Sequence, residues 1–357
     1  MILALFGVVM VATASPSVAV RIGLDGYHFV LRHVLFLVPT IGILVILAFA
    51  DIQNIKRFAL LLFIGATIGV ILSLTSGYEI KGATRWIRVL GFSVQPSEFV
   101  KPGFILLSAI LLSMQHRATK IPNVIIALCL YIVTAGLLIS QPDFGMVFLI
   151  SVVFAMQIFI AGCPLRYVAL LAIVGVVGVL IAYVSLGHVQ SRIDRFLFPE
   201  GADTYQIDQS KQAFVNGGLI GVGPGQGSVK NSVPDVHSDF IFTAVGEEWG
   251  FLLTSLFVGI FGLILYRFFT HFTRSDNLFV MLAGSGLTFM IVVQCFIHMG
   301  SAMQLIPAKG MTLPLISYGG SSMIAAGITF GLILALSRGI NEDRKRSTWR
   351  YLLKREN

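Results

Sequence analysis

The 357-residue sequence predicts an all-α integral membrane protein of about ten transmembrane helices, with a long extracytoplasmic loop between helices 7 and 8. Three observations carry this. Hydrophobic residues make up 56% of the chain at a mean hydropathy of +0.88, beyond the range of a soluble globular domain. Apolar runs recur along the whole length. Lysine and arginine gather in alternate loops, as they do in cytoplasmic loops.

The first run, residues 1–14, holds the apolar Met1–Ala12, with Ala-Thr-Ala-Ser at residues 12–15. It resembles a secretory signal with a small-residue cleavage site, yet the positive n-region is missing. It is also short against the roughly 17–25 residues of a span. We read it as a first transmembrane helix with a trimmed start. The other runs fall at 34–50, 58–74, 99–114, 122–140, 145–161, 167–186, 240–266, 278–299 and 321–337. An even number of spans puts both termini on one side.

Fourteen of the 25 lysines and arginines lie on the side shared with the C-terminus, against five of the 17 acids. They are Lys56, Arg57, Arg117, Lys120, Arg166, Arg267 and Arg274, then Arg338, Arg344, Lys345, Arg346, Arg350, Lys354 and Arg355. That side is cytoplasmic by the positive-inside rule. The loops at 75–98, 187–239 and 300–320 therefore face outward. The second is too long for a bare connector, and Tyr205–Asn216 reads as a short helix within it. Residues 1–337 form one polytopic domain and 338–357 a basic cytoplasmic tail. Topology accounts for the net charge of +8, and no basic stripe with interleaved aromatics points to nucleic acid. Cys129, Cys163 and Cys295 read as small core residues without a disulfide framework.

A local excess of acids marks VPDVHSDFIFTAVGEEWG, residues 233–250, which holds Asp235, His237, Asp239, Glu247 and Glu248 in a chain only 12% charged. Ionisable residues at membrane depth are functional suspects. The ordinary reading of Asp239 is a helix N-cap, although Ser238 would cap equally well and Asp235 lies a turn further out. The chemical reading is a general base at the membrane–water boundary. Glu247 and Glu248 fall about two turns into the helix, roughly 12 Å deep. Being adjacent, they diverge by about 100° and are expected not to face one partner. They serve either helix packing, bonded to nearby hydroxyls or cations, or the chemistry itself.

GATRWIRVLGFSVQPSEFVKPG, residues 82–103, places Arg85, Arg88 and Lys101 on the outer face. They suit an anionic headgroup, since arginine pairs with phosphate in bidentate fashion, or they form an interface anchor with Trp86 and Phe92. Gln95, Pro96 and Glu98 open the next helix. In QSRIDRFLFPE, residues 190–200, Arg192 and Arg195 share a face if helical. GGLIGVGPGQG, residues 217–227, lacks the spacing and lysine of a nucleotide loop and reads as a close-packed turn. PAKGMTLPLISYGGSSM, residues 307–323, reads as a re-entrant or broken segment that adds Lys309. Neither a metal-ligand cluster nor a Ser-His-Asp arrangement is visible. A carboxylate opposite several cations suits glycosyl transfer from a polyprenyl-diphosphate sugar. A lipid transporter would need similar headgroup contacts.

These segments, with QPDFG at 141–145 and KGMTLPLISYGGSS at 309–322, resemble the signature motifs of the SEDS family over nearly the whole chain. Lys309 to Pro314, and ATASPSVAVRIGLDGYHFVLRH at 12–33, resemble its cell-division branch rather than its elongation branch. The resemblance implies a peptidoglycan glycosyltransferase that polymerises lipid II on the outer face of the cytoplasmic (inner) membrane at the division septum. The alternatives are a lipid II flippase or the elongation member of the same family. Asp239 falls on the family's essential acid, with Ser238 where a threonine is usual. Arg85, Arg88, Lys101, Arg192, Arg195, Lys309, His237 and Ser317 are then candidate substrate-binding residues. Trp86, Gln95, Glu98, Glu247 and Glu248 are candidate supporting ones. Implied partners are lipid II and undecaprenyl-diphosphate-linked glycan, a class B penicillin-binding protein and the divisome regulators. No cofactor is fixed, and a divalent cation, Mg or Mn, would suit the diphosphate.

Overall fold

With no water in the bilayer core, a spanning backbone must satisfy its own hydrogen bonds, and helices do so within one segment. The computed structural model follows this rule. It describes residues 1–80, 83–89, 91–114, 123–185, 187–198, 205–307 and 310–355, with backbone alone at 78–80, 83, 188, 192, 195 and beyond residue 340. Arg117, Lys120 and Lys309 lie outside the described residues.

In chain order come α1 (Ile2–Ala14), α2 (Pro16–Arg21), α3 (His28–Ala48), α4 (Ile52–Ser76), β1 (Tyr78–Ile80), β2 (Ala83–Val89) and β3 (Phe92–Val94). Then follow α5 (Ser97–Ser113), α6 (Asn123–Ser140), α7 (Phe144–Ile160), α8 (Leu165–Ser185), α9 (Gly187–Leu197) and α10 (Tyr205–Gly217). A 3-10 turn at Val229–Ser232 precedes α11 (Ile241–Thr273), α12 (Leu278–Ala302) and α13 (Gly320–Arg355). Among the described residues, seven helices are long and apolar enough to span: α3, α4, α6, α8, α11, α12 and Gly320–Ile340 of α13. The remaining three apolar runs are α1, α5 and α7, at 13, 17 and 17 residues. The protein is a transmembrane, mainly α-helical one, and Tyr205 does open a helix in the long loop.

Three features depart from the sequence reading. Helices α3 and α4 start six residues before the predicted runs, because polar first turns (His28, Arg32 and His33; Gln53, Lys56 and Arg57) hide them from hydropathy. The 75–98 loop is an antiparallel three-stranded meander, β1-β2-β3, with Ile87 opposite Val94 and Val89 opposite Phe92. Its β-branched and aromatic residues favour strand, and Gly91 at φ 83° takes a left-handed turn conformation. The third is the break in α11 at Gly250, φ 67° and ψ 179°. Residues 241–248 are buried, whereas Phe251, Leu252, Leu253 and Leu256 are exposed. The 23 residues from 251 to 273 still rise about 34 Å at 1.5 Å each, enough for one span. Glu247 and Glu248 thus sit in a helical piece enclosed by protein rather than two turns down a lipid-facing span.

The chain forms two compact units. The first comprises Met1–Pro39, Ala169–Ile264 and Ile291–Ile324. Here the glycine-rich loop stitches the break in α11. Val222 and Gly223 donate N–H groups to the carbonyls of Glu247 and Glu248 (3.1 and 3.0 Å), and Phe251 and Leu252 donate to those of Gly218 and Leu219 (2.9 and 3.0 Å). Both orphaned helix ends are thereby satisfied. A Cβ at Gly221 would lie 2.3 Å from the Glu248 carbonyl oxygen, so the close-packed turn requires glycine there. Residues 303–307 and 310–319 are irregular, and α12 holds the second stretch. Gln294 Nε2 donates to the Thr312 carbonyl (2.9 Å), and His298 Nδ1, four residues on, bonds the Met311 carbonyl (2.6 Å). Side chains one turn apart on a helix can share such a task.

The second unit comprises Thr40–Val168, Leu265–Met290 and Ala325–Asn357. Its core packs Phe104 against Phe154 at 5.5 Å. The buried Gln157 accepts from Ser108 Oγ at 2.6 Å and donates to the carbonyls of Ile105 and Leu282 at 3.0 and 3.2 Å, tying α5, α7 and α12. Gly103 brings α5 onto α4, since a Cβ there would meet the Phe63 backbone at 3.0 Å.

Candidate active site

Pro234 and Asp235 turn the chain into α11, Asp235 adopting φ 53°, a left-handed conformation that aspartate tolerates better than most residues. Both Ser238 and Asp239 donate N–H groups to the Asp235 carbonyl at 3.0 Å. Helix α11 starts at Ile241, so Phe240 occupies the cap position and Asp239 stands one residue outside it. Val236, His237, Phe240 and Ile241 are buried while Asp239 is half-buried. The turn therefore anchors through its neighbours and leaves the Asp239 side chain partly open. Gly310 borders that side chain: a Cβ at Gly310 would lie 2.8 Å from Oδ2 and 3.3 Å from Cγ of Asp239. The absence of a side chain at 310 keeps the carboxylate where it is.

His237 lies under an aromatic cluster, its ring 4.3 Å from Phe29 and 5.3 Å from Tyr318. Its carbonyl accepts the Tyr318 N–H at 2.9 Å. Burial holds its pKa down at about 4, opposed by the charge of Asp235 and assisted by that of Arg21. His237 is thus neutral at pH 7 and offers a substrate no positive charge.

Glu247 and Glu248 are 0% and 1% exposed, and both address the 228–230 segment, contrary to the expectation from their divergence. Oε1 of Glu247 accepts from Asn216 Nδ2 (2.7 Å), Ser228 N (3.0 Å) and Val229 N (2.9 Å), and Oε2 accepts from Lys230 N (2.7 Å). Glu248 pairs with Lys230 Nζ, which also donates to the Thr13 carbonyl at 2.8 Å. One lysine presents a backbone donor to one glutamate and its long side chain to the other. The glutamates are structural partners, and no sequence pattern marks Lys230, because the pairing spans 17 and 18 positions and follows no helical period.

The other nominated residues are placed as follows. Arg85 and Arg88 fall an odd number of residues apart on β2 and so project to opposite faces. Arg85 donates to the Gln141 carbonyl at 3.0 Å and to the Pro142 carbonyl, and lies 3.6 Å from Asp143. It thereby binds the QPDFG segment. Arg88 is exposed and Trp86 half-buried. Lys101 is buried and paired with Glu98 at 2.8 Å. Gln95 donates to Ser97 Oγ at 3.1 Å at the start of α5. Arg192 and Arg195 fall within α9, and their side chains lie outside the described ones. Ser317 is 2% exposed and its hydroxyl accepts the Leu313 N–H at 2.8 Å, closing the turn in which Leu315 adopts φ 63°. The structure uses that hydroxyl to hold the irregular segment. Among the described residues no group of three His, Cys, Asp or Glu could hold a metal ion.

Over residues 1–342 the sequence matches the FtsW/RodA/SpoVE family of cell cycle proteins. The chain belongs to that family. Among its relatives is a probable peptidoglycan glycosyltransferase FtsW of Caulobacter vibrioides, 37% identical over 338 residues, covering 94% of this chain and 87% of that protein. The protein of the same name from Trichlorobacter lovleyi is 33% identical, covering 94% and 90%. Among solved structures, one described as a peptidoglycan synthase complex coordinating polymerization and crosslinking aligns with a TM-score of 0.74 at 26% identity, over 94% of this chain and 97% of the other. The Thermus thermophilus rod shape determining protein RodA aligns at 0.67 and 25%, over 95% and 94%. This family membership agrees with the SEDS resemblance read from the motifs.

Proposed function

We propose that this protein is the peptidoglycan glycosyltransferase of cell division, polymerising lipid II with Asp239 as general base. The observation that carries the base assignment is the half-buried Asp239 carboxylate, set on a buried turn and flanked by the side-chain-free Gly310. The relatives named FtsW support the activity and the septal role. In the step, the 4-hydroxyl oxygen of the acceptor sugar bonds to the anomeric carbon of the donor with inversion. The bond from that carbon to the phosphate oxygen breaks, undecaprenyl diphosphate leaves with the electron pair, and Asp239 takes the hydroxyl proton. A carboxylate with an ordinary pKa near 4 is a weak base, so positioning and stabilisation of the leaving charge must supply much of the rate.

The protein works in the cytoplasmic membrane as one polytopic domain with a basic tail, both termini cytoplasmic and the Asp239 turn outside. The positive loops and tail support this orientation. A class B penicillin-binding protein is the expected partner, supported by the likeness to a structure that couples polymerization with crosslinking. The test is reconstitution with the cognate transpeptidase and labelled lipid II on both membrane faces, so that transport is not required. Wild type makes glycan and Asp239→Asn does not. Equal yields overturn the base assignment, and no glycan from wild type overturns the activity.

A further inference from the structure

The cations nominated from sequence all lie from residue 85 onward, yet the first unit brings another to the Asp239 turn. Arg32 stands three residues after Phe29 on α3, near one turn along the same face. The Phe29 ring packs 4.3 Å from His237 and 5.0 Å from Tyr318, edge-on to the latter. Its neighbour His33 lies 6.5 Å from Tyr318. With the Tyr318 N–H bonded to the His237 carbonyl at 2.9 Å, these contacts pin the start of α3 to two segments. One carries Asp239 two residues beyond His237, and the other carries Gly310. Arg32 is exposed, and its positive charge acts on the Tyr318 hydroxyl. Arg21, at the end of α2, places a second positive charge within electrostatic range of His237.

Positive-inside topology gives no reason for arginines on this outer face. A tyrosine hydroxyl orients a guanidinium without neutralising it, leaving donors of the planar fork for a bidentate anion. We propose that Arg32, with Arg21 beside it, binds the diphosphate of the lipid-linked substrate and holds the charge that grows there as the glycosidic bond breaks. This rests on the glycosyltransferase reading. The aromatic cluster is the scaffold that aims Arg32, and Tyr318 contributes orientation only.

The experiment uses the full-length protein with its transpeptidase, measuring initial rates against lipid II concentration and inhibition by undecaprenyl diphosphate. Loss of a charged phosphate contact is expected to raise KM and the inhibition constant about tenfold or more in Arg32→Ala. Arg32→Lys falls between that variant and wild type. Arg32→Gln keeps a side chain able to reach Tyr318 and shows the same loss as Arg32→Ala, which separates charge from folding. Tyr318→Phe shifts both constants by no more than about twofold, since it removes a neutral hydroxyl and leaves the cation. Wild-type constants in Arg32→Gln overturn the proposal. So does a Tyr318→Phe effect equal to that of Arg32→Ala, which makes the arginine a strut for the tyrosine. If wild type makes no glycan the activity reading fails, while undecaprenyl diphosphate binding to wild type and Arg32→Gln still tests the subsite.

Discussion

The turn at 235–239 and the glutamate pair at 247–248 belong to one stretch of sequence, carry the same kind of charge, and are treated by the fold in opposite ways. Glu247 and Glu248 are fully buried and spent on four N–H donors and a lysine. Asp239 is half-buried, held through its neighbours, and bordered by a residue with no side chain. Acidic density drew attention to the whole stretch. What separates the two acidic regions is enclosure: the glutamates are sealed inside the protein, whereas Asp239 keeps a partly open face.

The comparison breaks first at Asp239. Asp239→Asn keeps the shape and removes the base, so polymerisation falls by about 100-fold to 10,000-fold, while the melting temperature in detergent stays near wild type. The next largest effect belongs to Lys230→Met, which leaves Glu248 buried without its partner. Breaking such a pair costs about 3–5 kcal/mol, to be read as a lower melting temperature. The double variant Lys230→Met/Glu248→Leu recovers most of that loss, because the uncompensated charge has gone.

Gly310→Ala sharpens the boundary between the two regions. Its methyl group would press on the Asp239 carboxylate, so kcat falls about tenfold, as small misplacements of a reacting group do. KM and melting temperature change little. The smallest effect is the pH response of His237. Its folded pKa of about 4 lies below the ordinary histidine value of 6.5, so the folded state binds fewer protons than the unfolded one. The stability this contributes is present above pH 6.5 and is lost as pH falls towards 4. A melting series over that range declines in wild type and declines less in His237→Phe.

The ten apolar runs were legible because a span must be long and apolar whatever surrounds it. The strands at 78–94 were not, since three short outer strands are too brief for hydropathy to mark and their residues also suit an interface anchor. Asp239 stood out by charge and motif. The contacts that give it meaning were hidden, because Gly310 lies 71 positions away and Phe29 reaches His237 across more than 200. The same applies to Lys230, a lone outer lysine whose partners only the fold reveals. Arg32 lies in the polar first turns of α3, which hydropathy does not mark as helix.

The most direct test is the rate of glycan synthesis per folded molecule, with the folded fraction taken from the melting transition, for Asp239→Asn and Lys230→Met/Glu248→Leu side by side. A near-zero rate for the first and a near-wild-type rate for the second is the expected result. Wild-type turnover in Asp239→Asn, or loss of turnover in a folded Lys230→Met/Glu248→Leu, would contradict the division of labour between the two acidic regions.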